Sequence, residues 1–159
     1  MRVTSLLSLL AGFTVPIAAF AQGEVSVERG LQVSITAGCH DCHTEGYMEA
    51  DGQIDPTKAL KGSSIGWRGP WGTTYAQNLR VWALLVSEKR FVAHMKTLKT
   101  RPPMPWYNVN AMDESDLRSL YQYIRSLGEV GETVPIVVNP GDEPTTPYIQ
   151  LAPPQMPKS

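Results

Sequence analysis

Gly38-Cys39-His40-Asp41-Cys42-His43-Thr44 is the stretch on which the reading of this chain turns. Its two cysteines are the only ones in the sequence, and a histidine follows directly after the second. The order C-x-x-C-H is the haem attachment sequence. Two thiols on one helical turn can each add to a vinyl group of the same porphyrin, and the histidine after them can turn beneath the ring to give a nitrogen to iron. Cys39 and Cys42 are therefore the candidate attachment points, and His43 the candidate axial ligand. His40, inside the loop, is expected to face solvent.

Three other uses of these residues compete with that reading. A thioredoxin-like redox pair needs a strand-helix setting, whereas the flanks here read as a helix followed by a glycine-rich loop. A zinc site would crowd Cys39, His40, Cys42 and His43 together, while structural zinc sites draw their ligand pairs from separated segments. A plain disulfide is the default for an exported cysteine pair, but it leaves His43 without a role. Haem gives all three residues a task.

Export is read from the N-terminus. Arg2 precedes an almost wholly apolar run from Leu6 to Phe20, and Ala19-Phe20-Ala21 stands before polar Gln22. That is the layout of a signal peptide, residues 1–21, cleaved after Ala21. The apolar run is shorter than the roughly 20 residues a membrane span requires, so no transmembrane anchor is expected after cleavage. The mature protein is expected in the periplasm. At 159 residues with 42% hydrophobic content there is room for one domain. A net charge of -1 gives no electrostatic reason to expect nucleic acid as a partner.

Around the motif the chain reads as helical. Ser26 can cap a helix to about residue 37, with Val27, Leu31, Ser34 and Ile35 on one face and Gly38 ending it. Gly30 costs such a helix about 1 kcal/mol relative to alanine, and a close helix crossing would explain it. A terminal helix follows Asp113, with acid at Glu114 and Asp116, base at Arg125, a stop at Gly128 and an apolar stripe of Leu117, Leu120, Tyr121, Ile124 and Leu127. From residue 46 to about 78 the sequence has loop character. Leu79, Trp82, Leu85 and Val86 then mark one short helix, and Phe91, Met95 and Leu98 another, capped by Ser87. Trp67, Arg68, Trp71, Tyr75 and Asn78 include donors suited to haem propionates. Residues 129–159 form a tail whose prolines at 135, 140, 144, 147, 153, 154 and 157 exclude helix and central strand. An extended strap is expected, lying on the domain or free to meet a partner.

With these pieces in place the sequence resembles the class I c-type cytochromes, especially the monohaem domains found beside periplasmic dehydrogenases. The matching pieces are Arg29-Gly30, the motif at 38–44, Tyr75-Ala76-Gln77-Asn78-Leu79 and Pro103-Met104-Pro105-Trp106. They continue from Asp116-Leu117 through Tyr123-Ile124-Arg125-Ser126-Leu127, so the likeness covers about residues 26–128 of a domain placed at 22–128. It implies an all-α cytochrome c fold, three to five helices around one covalently bound haem c, with the first and last helices crossing near a right angle at Gly30. It also implies His43 and Met104 as the axial pair, and it leaves Trp71, Tyr75 and Asn78 as further candidates for contact with the cofactor. Pro102, Pro103 and Pro105 around Met104 hold the local backbone extended, which favours this methionine over Met48, Met95, Met112 and Met156. After Asn78-Leu79 many relatives continue with Thr and an acidic, glycine-containing loop. Here Arg80-Val81-Trp82 follows instead.

Iron held by His and Met has no open position for substrate, and the Met ligand raises its potential. The expected function is that of an electron carrier, not an enzyme, with no catalytic residues, working between a donor dehydrogenase and an acceptor oxidase or cytochrome. Two alternatives stay open. One is a haem enzyme or small-ligand sensor whose sixth iron position is free. The other is the cytochrome subunit of a periplasmic dehydrogenase complex, with the tail as a docking element.

Overall fold

Ser26 opens the first helix as a side-chain cap, its Oγ accepting from the Arg29 amide at 3.1 Å. The computed structural model describes residues 23–154 and 156–157, so the expected signal peptide lies outside the described residues. Among these residues the helices are α1 Val27–Thr36, α2 Cys39–His43, α3 Leu79–Leu85, α4 Glu88–Thr97, α5 Trp106–Ala111 and α6 Glu114–Ser126. Three short strands accompany them: β1 Gly66–Gly69, β2 Gly72–Tyr75 and β3 Tyr148–Gln150. Among the described residues the fold is mostly helical, with six helices where three to five were expected and a small sheet that draws two strands from the segment read as loop and one from the tail. The physical reason is length and composition. Helices α2 and α5 are under two turns, too short to show a period, and the glycines at 66, 69 and 72 mask two strands joined by the two-residue turn Pro70-Trp71.

The core is built on α6. Leu117, Leu120, Tyr123 and Ile124 pack with Val33 of α1, Ala83 of α3, Phe91 of α4 and Leu60 from the intervening loop. Helix α1 lies against α6 at Gly30, where an added Cβ would collide with the Ser119 carbonyl and sit 2.6 Å from Tyr123 Cβ. That approach corrects the expected face of α1. Gly30, Val33 and Ser34 are buried, while Val27, Leu31 and Ile35 are exposed. The contact is centred on the residue that permits the closest approach, and apolar spacing alone cannot locate it. Arg29 and Asp116 add a two-bond ion pair across the same helices, at 2.8 and 2.9 Å. Asp113 stands at the N-cap of α6 but makes no side-chain cap bond.

Arg80, in the first turn of α3, is only 3% exposed. Its guanidinium donates to Ala59 O, Pro56 O, Leu127 O and Glu129 O at 2.6, 2.5, 3.0 and 2.9 Å. One side chain thus closes the 56–60 loop and the end of α6 over α3, using the several donors of its planar fork. Beyond Gly128 the strap lies on the domain. Thr73 and Val138 exchange backbone bonds of 2.9 Å, Arg68 holds Glu143 at 2.7 and 2.8 Å, and β3 runs parallel to β1 as an edge strand in the order β2-β1-β3. Among the described residues no helix is long and apolar enough to cross a membrane.

Candidate functional site

Gly38, at φ 68°, turns the chain out of α1 and directly into α2, placing Cys39 and Cys42 on one helical turn. The turn is held from inside by His40. Contrary to the expectation of a solvent-facing side chain, His40 is 0% exposed. Its Nδ1 lies 2.7 Å from Thr44 Oγ1 and its Nε2 3.0 Å from Ser34 Oγ. Ser34 Oγ donates to Leu31 O at 2.7 Å, and Thr44 Oγ1 accepts from the Leu60 amide at 2.8 Å. Each hydroxyl has one proton, so His40 Nε2–H donates to Ser34 while Thr44 donates to His40 Nδ1. The ring is therefore neutral, and burial pushes its pKa down to about 4, against an opposing pull from Asp41. Both its nitrogens are spoken for within the protein, which removes it from any zinc site. Among the described residues no group of three or more His, Cys, Asp or Glu is gathered to hold a metal ion.

His43 is oriented differently. Its Nδ1 lies 2.7 Å from the Gln77 carbonyl, and a carbonyl only accepts, so Nδ1 carries the proton and Nε2 keeps a lone pair. Burial lowers its pKa, with the Gln77 bond partly opposing. A neutral imidazole with its second nitrogen anchored to a carbonyl is the arrangement metal-ligating histidines use. The two cysteines are free thiols, not joined to each other. Burial pushes the Cys39 pKa up to about 12, with Asp41 adding to the effect, and raises that of Cys42 as well.

Cys39, Cys42 and His43 all line one cavity of about 680 Å³, within the roughly 300–1,000 Å³ usual for cofactor sites. Met104 lines it too, from the loop between α4 and α5, as do Met95 and Met112. Met95 is buried in the core, whereas Met48 and Met156 are exposed and lie away from the cavity wall. Tyr75 and Asn78 line the cavity, but their polar atoms are engaged elsewhere. Tyr75 Oη bonds Thr146 Oγ1 at 2.9 Å. Asn78 Nδ2 donates to Val130 O and Glu132 O, both at 2.7 Å, while its Oδ1 accepts from the Arg80 and Val81 amides to cap α3. Trp71 is not part of the wall; its ring covers Gly69, and its buried Nε1 has no partner among the described residues.

The sequence reading missed Arg101, the one side chain of fixed charge lining a cavity whose described wall carries no acid. It also missed Gln77, whose part is played by its backbone carbonyl and so leaves no trace in residue type. An apolar cavity with two neutral thiols, a histidine lone pair and a guanidinium fits a flat apolar macrocycle that carries a metal and ends in carboxylates. Residues 27–128 match the cytochrome c family, and the chain belongs to that family. Comparisons with curated proteins and with solved structures found no match.

Proposed function

We propose that this protein is a periplasmic carrier of single electrons, with one haem c joined through Cys39 and Cys42 and its iron held by His43 and Met104. The observation that carries the reading is the convergence of both thiols, the oriented His43 and Met104 on one apolar cavity. When bound, haem supplies one-electron iron chemistry. The chain's own part is to exclude water with apolar walls, to hold His43 in the tautomer that leaves Nε2 for iron, and to offer Arg101 to the carboxylate end of the ring. With His43 and Met104 both given to iron, no position would remain for a substrate, which would suit a relay. Donor and acceptor are redox proteins, a dehydrogenase on one side and an oxidase or another cytochrome on the other. The N-terminal apolar run supports the periplasmic location.

An optical redox titration of the purified protein tests the reading. A single one-electron transition between low-spin ferric and low-spin ferrous forms is expected. A high-spin ferrous form that takes carbon monoxide at once in the intact protein would instead make it a ligand-binding haem protein.

A further inference from the structure

The C-terminal strap makes hydrogen bonds to Gln77, which orients His43, and to the loop that carries Met104. On the His43 side, the Gln77 carbonyl accepts a hydrogen bond from the imidazole Nδ1–H, and the Gln77 side chain donates to Pro135 O at 3.4 Å. On the other side, Arg101, three residues before Met104, donates to Asn139 Oδ1 and to Trp71 O, each at 3.3 Å. Between these points Thr133 and Val134 form part of the cavity wall, and Val138 is paired with Thr73 of β2. The next residue of that strand, Thr74, donates from Oγ1 to Pro102 O at 2.7 Å.

The loop before Met104 needs such outside help. Pro102, Pro103 and Pro105 have no amide proton, so the loop cannot tie itself down with backbone donors at these positions. It must be held by groups that donate to it, or by its own side chains reaching out, and the bonds of Thr74 and Arg101 are of these two kinds. The strap is packed closely enough to constrain the hairpin as well. An added Cβ at Gly72, where φ is 95°, would collide with Val138 O and lie 2.9 Å from the Asn139 carbonyl carbon.

We infer that residues 133–139 of the strap are a positioning element for the sixth iron ligand. They back β2 and hold Arg101, which keeps the Met104 loop closed over the cavity and sets how readily that side of the iron opens. The inference rests on the reading of Met104 as that ligand. It gives the strap a task inside its own domain, in place of docking to another protein.

The test is the rate at which imidazole enters the sixth position of the ferric holoprotein, followed through loss of the thioether-to-iron charge-transfer band. Asn139→Ala should speed entry about threefold to fivefold, the scale of one exposed hydrogen bond. Asn139→Asp keeps an acceptor for Arg101 and should leave the rate at or below that of the unaltered protein. Adding Val138→Pro to Asn139→Ala removes the amide donor to Thr73 as well, and the pair should speed entry about tenfold or more, with faster hydrogen exchange at the Thr73 amide. Unchanged entry rates in both Asn139→Ala and the double variant overturn the inference, even if reduction by a donor protein slows, because the strap would then be a docking element. An intact protein that lacks the band from the start refutes Met104 ligation itself, which separates the two failures.

Discussion

Met104→Ala is expected to abolish the thioether-to-ferric-iron charge-transfer band, to lower the reduction potential and to open the iron to carbon monoxide. The drop should be on the order of 100 mV, inside the roughly 0.8 V that axial ligation commands. Three methionines line the cavity, and their settings separate them. Met95 is 7% exposed within the core, so Met95→Ala should cost about 2–5 kcal/mol of stability and keep the band. Met112 caps the end of α5 directly before the start of α6, and its carbonyl is held by Lys96. Met104 sits in a loop with prolines on both sides and with its own carbonyl accepting from the Trp106 amide at 2.9 Å. If Met112→Ala removes the band while Met104→Ala leaves it, the ligand has been misassigned. Optical spectra of the three variants, with a redox titration of each, decide among them.

The paired substitution Cys39→Ala with Cys42→Ala should yield a chain that, once freed of haem, has no cooperative thermal transition. A closed apolar cavity costs about 24 cal/mol per Å³. A third of that rate over 680 Å³ is already about 5 kcal/mol, comparable with the whole stability of a domain, about 5–15 kcal/mol. The apolar residues around the cavity, among them Leu79, Trp82 and Leu98, pack on the same core as Leu117 and Ile124. Their collapse would therefore be felt throughout the fold. Circular dichroism against temperature checks this. A sharp transition at the temperature of the unaltered holoprotein would mean that the cofactor is not part of the core.

What could be read from the sequence was local. The caps at Ser26 and Ser87 act on amides three residues away, and both do so in the structure. The stripe on α6 was legible because Leu117, Leu120 and Ile124 repeat with the helical period. The attachment motif was legible because its chemistry is confined to five consecutive residues, Cys39 to His43. What was not legible depends on partners distant in the chain. His40 is buried because Ser34 and Thr44 complete its bonds across the turn into α2, and no pattern in the motif announces that. Arg101 reaches the cavity only because its loop is folded back onto β2 and the strap. Asn78 is a middle case: an asparagine just before an apolar helical pattern is a cap signal, and the cap is what its Oδ1 forms.

Covalent attachment is the claim from which the rest follows, and one extraction tests it. When the mature protein is denatured in acid and organic solvent, the haem should stay with the polypeptide, and the peptide containing Cys39 and Cys42 should carry the mass of one haem. Release of all colour into the solvent, leaving both thiols unmodified, would contradict it.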